Sequence, residues 1–198
     1  MMPIALIVLG LAALAYFRPD LFGAILAPDT GAGSGAPFPS PSSDTPSTPP
    51  TLSPALPDNI AAIVALVLEL AGDQDPALLL GVIEKESRFD PGAVNMQDPH
   101  GGSWGLLQMA AATAADMGVA DPRALLDPPV AIATGVRYLD WIDGYLRSHG
   151  GGGLNQKIAA WNEGAAAAVS GLPDYPYVAA VAANMTKWRA WLDGAAVA

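Results

Sequence analysis

Carboxylates are the reactive side chains this sequence has in quantity. Its 198 residues include 19 Asp and Glu against 9 Lys and Arg, two histidines (His100 and His149) and no cysteine. Without cysteine there is no disulfide, no thiolate metal ligand and no thiol nucleophile. Two isolated histidines in apparent loops are a poor basis for a Ser-His-Asp triad or a histidine metal site. A formal net charge of -10 with no basic cluster disfavours nucleic acid as a partner, because such binding rests on Lys and Arg neutralising phosphates. The carboxylates that invite a chemical reading stand in "GVIEKESRFDP", residues 81–91, where Glu84 and Glu86 close an apolar run.

On a helix two residues subtend about 200°, so Glu84 and Glu86 cannot share a face. Leu79, Leu80, Val82 and Ile83 form the apolar stripe that Glu86 extends, while Glu84 and Lys85 fall toward the other side. Glu84 is therefore expected to be solvated and dispensable. Glu86, bordered by apolar neighbours, should hold its proton to higher pH, as an acid that cleaves a glycosidic bond must. Geometry alone leaves a second reading open, a glutamate at a fraying helix end with its head in water.

The elements that would position Glu86 are helical, and the expected fold class is all-α. Asp58-Asn59 cap an apolar run that ends at Gly72, and Asp75-Pro76 supply the N-cap and first residue of the helix that ends near Glu86. Further helical patterns cover 106–118, with Gly118 closing the helix, then 129–150, 155–171 and 175–193. No segment alternates with period two. Arg88 to Trp104 reads as one long irregular loop, and Gly150–Gly153 joins two helices. Trp188 and Trp191, three apart, read as a terminal helix docking its apolar stripe on the core, and Glu163 as a solvated or ion-paired side chain. "DPHGGS" lacks the alternating acids of a calcium loop, so no metal is expected.

Two other zones precede this domain. Residues 1–17 carry no charge and are followed by Arg18 and a second apolar patch to residue 27. They read as a membrane anchor, with a cleaved signal segment and secretion as the alternative. Residues 28–57 hold nine prolines among Gly, Ser and Thr, the composition of a disordered tether. The expected organisation is thus 1–27 anchor or signal, 28–57 linker and 58–198 folded domain.

Five blocks follow in order: "ESRFDPGAV" from Glu86, "GLLQMAAATAADMG" from Gly105, "DPPVAIATGVRYL" from Asp127, "AAWNEG" from Ala159 and "YPYVAAV" from Tyr175. Together they make the chain resemble the soluble lytic transglycosylase family, whose lysozyme-like helical domain cuts peptidoglycan. The resemblance implies that Glu86 is the single catalytic acid and base, and that 1,6-anhydromuramoyl ends form without a cofactor. It implies that Gln108 lines the sugar groove, that Trp161 and Asn162 stand where the family has Tyr-Asn, and that Tyr177 is the tyrosine of the last block. Asn95 stands near a family position close to the sugar, and Ser87 holds the helix end; all six are expected on the substrate side of the site. Ala110-Ala111 replace the family's Met-Pro and Ala131 its asparagine. The loop "NMQDPHGGSW" is longer than usual and is similar to that of goose-type lysozymes, which makes Asp98 a candidate second carboxylate. If Asp98 positions water, the enzyme would be a hydrolytic muramidase. A third reading is a non-catalytic wall-binding or assembly module. Expected partners are glycan strands, a membrane through residues 1–17, and components of a bacterial envelope or virion, with the domain facing the wall.

Overall fold

Three helical elements in this chain, at Pro76, Pro122 and Pro128, start at Asp-Pro steps. The computed structural model describes residues 56–171 and 175–194, which fall in one of the chain's two compact units, Thr48–Ala198. Seven α-helices appear among the described residues: α1 Asp58–Leu70, α2 Pro76–Glu86, α3 Ala111–Asp116, α4 Pro128–Ser148, α5 Leu154–Glu163, α6 Ala165–Ser170 and α7 Tyr175–Leu192. A 3-10 turn spans Pro122–Leu126. Asp75 precedes α2 and accepts from the Ala77 N–H at 2.8 Å. Asp121 does the same for the 3-10 turn through Arg123 N–H at 3.0 Å. In each case the carboxylate meets an N–H that the first turn leaves unpaired, and proline takes a position where no donor is needed. Asp58 and Asn59 do not cap α1 as expected. The Pro57 carbonyl takes the first bonds, from Ile60 and Ala61 at 2.9 Å each, so Asp58 is already helical.

The expected anchor at 1–17, its patch to residue 27 and the linker up to residue 55 lie outside the described residues. Among those described, no helix is long and apolar enough to cross a membrane.

The core is organised around α2. Ala77 through Ile83 are buried without interruption, so this helix is apolar all round and is packed on every side. Its closest neighbour is α7. A Cβ on Gly81 would lie 3.0 Å from Met185 Cγ and 3.1 Å from the Val181 carbonyl oxygen, which shows how tightly the two backbones approach. Asn184 donates from Nδ2 to the Gly81 carbonyl at 3.2 Å. Contrary to expectation, Glu84 is not a solvated ornament: it is ion-paired with Lys187 and accepts the Trp188 indole N–H at 2.8 Å. Trp188 is buried as expected and meets Phe89 edge-on at 5.3 Å.

The chain leaves α2 through a strained turn. Arg88 and Phe89 both adopt left-handed backbone, φ 53° and 66°, a conformation that costs a side-chain-bearing residue about 1–3 kcal/mol. Burial of Phe89 against Trp188 offsets it. The fold is mostly helical, in keeping with the all-α class expected, and beyond this turn it adds a small antiparallel sheet, two of whose strands lie in the expected loop. Its strands are β1 Val94–Asn95, β2 Ser103–Trp104 and β3 Met109–Ala110, in that order, with Val94 opposite Trp104 and Trp104 opposite Met109. The helix expected over 106–118 therefore starts only at Ala111. Gly105, at φ 69°, makes the approach possible, since a Cβ there would sit 1.9 Å from the Leu125 carbonyl oxygen. The single helix expected over 155–171 is likewise divided at Gly164, whose φ 84° and ψ 149° are accessible only to glycine. That break exposes the end of α5 instead of burying it in a longer rod.

Glu84→Ala should leave the buried Trp188 N–H without its acceptor and lower the unfolding free energy by about 1–3 kcal/mol, read as a lower denaturant midpoint with an unchanged slope. An unchanged midpoint would return Glu84 to the solvated role.

Candidate functional site

The end of α2, the small sheet, the start of α3 and the end of α5 enclose a cleft of about 580 Å³. Four carboxylates border it, Glu86, Asp98, Asp116 and Glu163, and neither Lys nor Arg does. Glu86 enters from the last residue of α2, where the fully packed helix can no longer surround it. Tyr177, buried near the start of α7, donates its hydroxyl to Glu86 Oε1. The Lys85 ammonium stands 5.4 Å from the centre of the Tyr177 ring. Burial pushes the Glu86 carboxyl up, and it outweighs the Tyr177 hydrogen bond and the Lys85 charge, which both pull it down. The result is a half-buried acid that holds its proton to higher pH than an ordinary glutamate.

Asp98 has the opposite bias. Ser103 donates its hydroxyl to Oδ2, and the His100 N–H donates to Oδ1 at 2.8 Å. These bonds, Ser103 first, hold its carboxyl below the usual range against a small opposing effect of burial. One cleft thus contains an acid favoured to keep its proton and a carboxylate favoured to lose it, the pairing from which acid and base roles are made.

The remaining expected site residues divide into those that face the cleft and those that support it. Asn95, Gln108, Trp161 and Asn162 border the cleft. Ser87 and Tyr177 stand behind it. The Ser87 hydroxyl donates to the Ile83 carbonyl at 3.2 Å and tightens the last turn of α2, and Tyr177 reaches the site through Glu86. Gln108 is committed to structure as well as to the cleft. In left-handed backbone at φ 42°, its amide nitrogen donates to the Ala93 carbonyl at 3.0 Å and the Gly105 carbonyl at 2.9 Å, which ties the residue before β1 to the turn before β3. Asn95 Oδ1 accepts from the Gln97 N–H at 3.1 Å. Trp161 meets Tyr138 edge-on at 5.3 Å. Trp161 and Leu107 lie over α4 at Gly135, where a Cβ would sit 2.3 Å from Leu107 Cδ1 and 3.5 Å from the Trp161 ring.

Sequence reasoning did not single out Tyr138, Ser103 or Asp116, and Glu163, expected to be solvated or ion-paired, borders the cleft beside them. Tyr138 stood in the quoted block "VRYL", and its helical phase against Trp161 was the available signal. Burial, reinforced by the nearby Asp116 charge, pushes its phenol up. Among the described residues no group of three or more His, Asp or Glu could hold a metal ion.

The family model described as the transglycosylase SLT domain matches residues 67–170, more than half of the chain. No curated protein and no solved structure matches. The matched span contains Glu86, Asp98 and Gln108 and stops short of α7, so Tyr177 lies beyond it.

Tyr177→Phe should move the Glu86 pKa further up. The phenol donates to the charged form and favours it over the neutral acid, so its loss leaves burial less opposed. Titration of the Glu86 carboxyl carbon by NMR reads this directly, and a downward or absent shift would count against the hydrogen bond as drawn.

Proposed function

This chain belongs to the transglycosylase SLT family, and from that membership together with the seating of Glu86 we propose that it is a peptidoglycan lytic transglycosylase. Family membership supports a glycosidase-like or lyase activity on peptidoglycan. The observation that carries the finer reading is the half-buried Glu86 in the cleft, with its carboxyl pushed up by burial and oriented by Tyr177.

In this reading the protonated Glu86 gives its proton to the glycosidic oxygen between N-acetylmuramic acid and N-acetylglucosamine. The C1–O bond breaks through an oxocarbenium-like transition state, and the sugar leaves as the neutral alcohol. Glu86, now a carboxylate, takes the proton of the muramoyl 6-hydroxyl as O6 bonds to C1. The proton balance closes on one residue, an anhydro ring forms, and no water is consumed. Tyr177 suits both halves of this cycle. Its hydrogen bond opposes the effect of burial on the carboxyl, which favours a group that can both give and take a proton. Asn95, Gln108, Trp161 and Asn162 are assigned to the sugar-facing wall.

A second reading draws on Asp98, which borders the same cleft and is favoured in its ionised form. A carboxylate so placed could hold a water against C1 and make the enzyme a hydrolytic muramidase. The apolar residues 1–17 and the proline-rich 28–57 are assigned to an anchor and a tether that hold the domain against the wall, in a bacterial envelope or a virion.

Mass spectrometry of the products of purified sacculi separates the two chemistries. Cyclisation by Glu86 alone predicts anhydro ends, unchanged in kind by Asp98→Asn. Reducing ends heavier by one water, lost selectively in Asp98→Asn, would replace the transglycosylase reading with the muramidase.

A further inference from the structure

We propose that an aromatic stripe on α4 extends the cleft into an additional binding surface for glycan chains, with Trp141 as its exposed contact. The proposal rests on the reading of the cleft as a glycan site and adds to it a substrate-length dependence.

Tyr138, Trp141, Tyr145 and His149 follow at intervals of three, four and four, which places the first three along one side of α4 and His149 in line with them at its C-cap. Their rings are in contact in sequence. Tyr138 and Trp141 lie nearly parallel at 5.8 Å, Trp141 and Tyr145 are tilted at 5.4 Å, and Tyr145 stacks on His149 at 3.9 Å. Tyr138 borders the cleft and touches Trp161, so the stripe begins inside the site. Eleven residues of helix rise about 16 Å, the reach of a few pyranose rings in a β-1,4-linked chain.

Two observations separate this stripe from a core-packing face. Tyr138 and Tyr145 pack against the core, while Trp141 between them does not and remains 42 % exposed. Its indole N–H has no partner among the described residues. The neighbouring surface is also kept bare. Gly144, three residues on, would place a Cβ in open space, although glycine inside a helix costs about 1 kcal/mol relative to alanine. Ser148, seven residues on, is small. An exposed indole with an available donor, beside a cleared strip and continuous with a polar cleft, has the two properties a sugar needs. It offers an apolar surface for the ring's C–H groups and a polar edge for its hydroxyls.

The full chain carrying Glu86→Gln, titrated calorimetrically with chitotriose and chitohexaose, tests this. With Trp141 present, the hexamer should bind about two- to tenfold more tightly than the trimer. Adding Trp141→Ala should abolish that length advantage, and Trp141→Phe should restore part of it. A length advantage that survives Trp141→Ala, or none in the presence of Trp141, overturns the proposal. So does loss of self-association in the variant with hexamer affinity intact, which would make the stripe a contact between copies. Failure of the underlying reading looks different. If the unsubstituted chain does not cut sacculi but Trp141→Ala still removes the length advantage, the glycan surface stands and the activity falls. If sacculi are cut and hexamer affinity is indifferent to Trp141, the reverse holds.

Discussion

The approach of α7 to α2 at Gly81 is the contact on which the rest of the site depends. It allows a helix buried on every side to receive, from one neighbour, partners for both of its glutamates. Glu84 is held by Lys187 and Trp188 on the body of α7, and Glu86 by Tyr177 near its start. Each pairing limits how far one helix can slide along the other. A displacement that separated Glu84 from Trp188 would also shift Tyr177 from Glu86, so the geometry of the acid follows from the register of two packed helices.

The cleft derives its chemistry from unequal treatment of like groups. Glu86 and Asp98 have similar intrinsic acidity but sit at the end of a packed core helix and in a hydrogen-bonded loop respectively. Burial governs the first, donated hydrogen bonds the second. The small sheet matters because it carries Asn95 and Ser103, and because its closure by Gln108 and Gly105 fixes the loop that holds Asp98. The segments on either side of that loop carry left-handed backbone at Arg88, Phe89 and Gln108, and such conformations gather where a functional arrangement is held against local preference.

Much of this was legible in the residues. The Asp75-Pro76 start, the inward direction of Glu86 and the docking of Trp188 all followed from helical spacing and capping chemistry. What was missed has identifiable causes. In the sequence Glu84 looks solvated because its partners lie more than 100 residues away on α7, and helical phase says nothing about which neighbour covers a polar face. The alanine-rich stretch from 106 was read as helix because its propensity favours one. Left-handed backbone at Gly105 and Gln108 and pairing with β2 override that preference, and two-residue strands are too short to leave an alternating pattern. The Ser87 hydroxyl holds the helix end, as its position there suggests, whereas the reach of Tyr177 to Glu86 is a long-range relation that sequence order does not encode.

The central claim is that one carboxyl, Glu86, performs the proton transfers. Its most direct test is the release of soluble muropeptides from purified sacculis by the full chain and by Glu86→Gln. The account predicts release by the unsubstituted chain and loss to background in the variant, with the thermal unfolding of the domain retained. Undiminished release by Glu86→Gln would contradict it and move the search for the acid to Glu163.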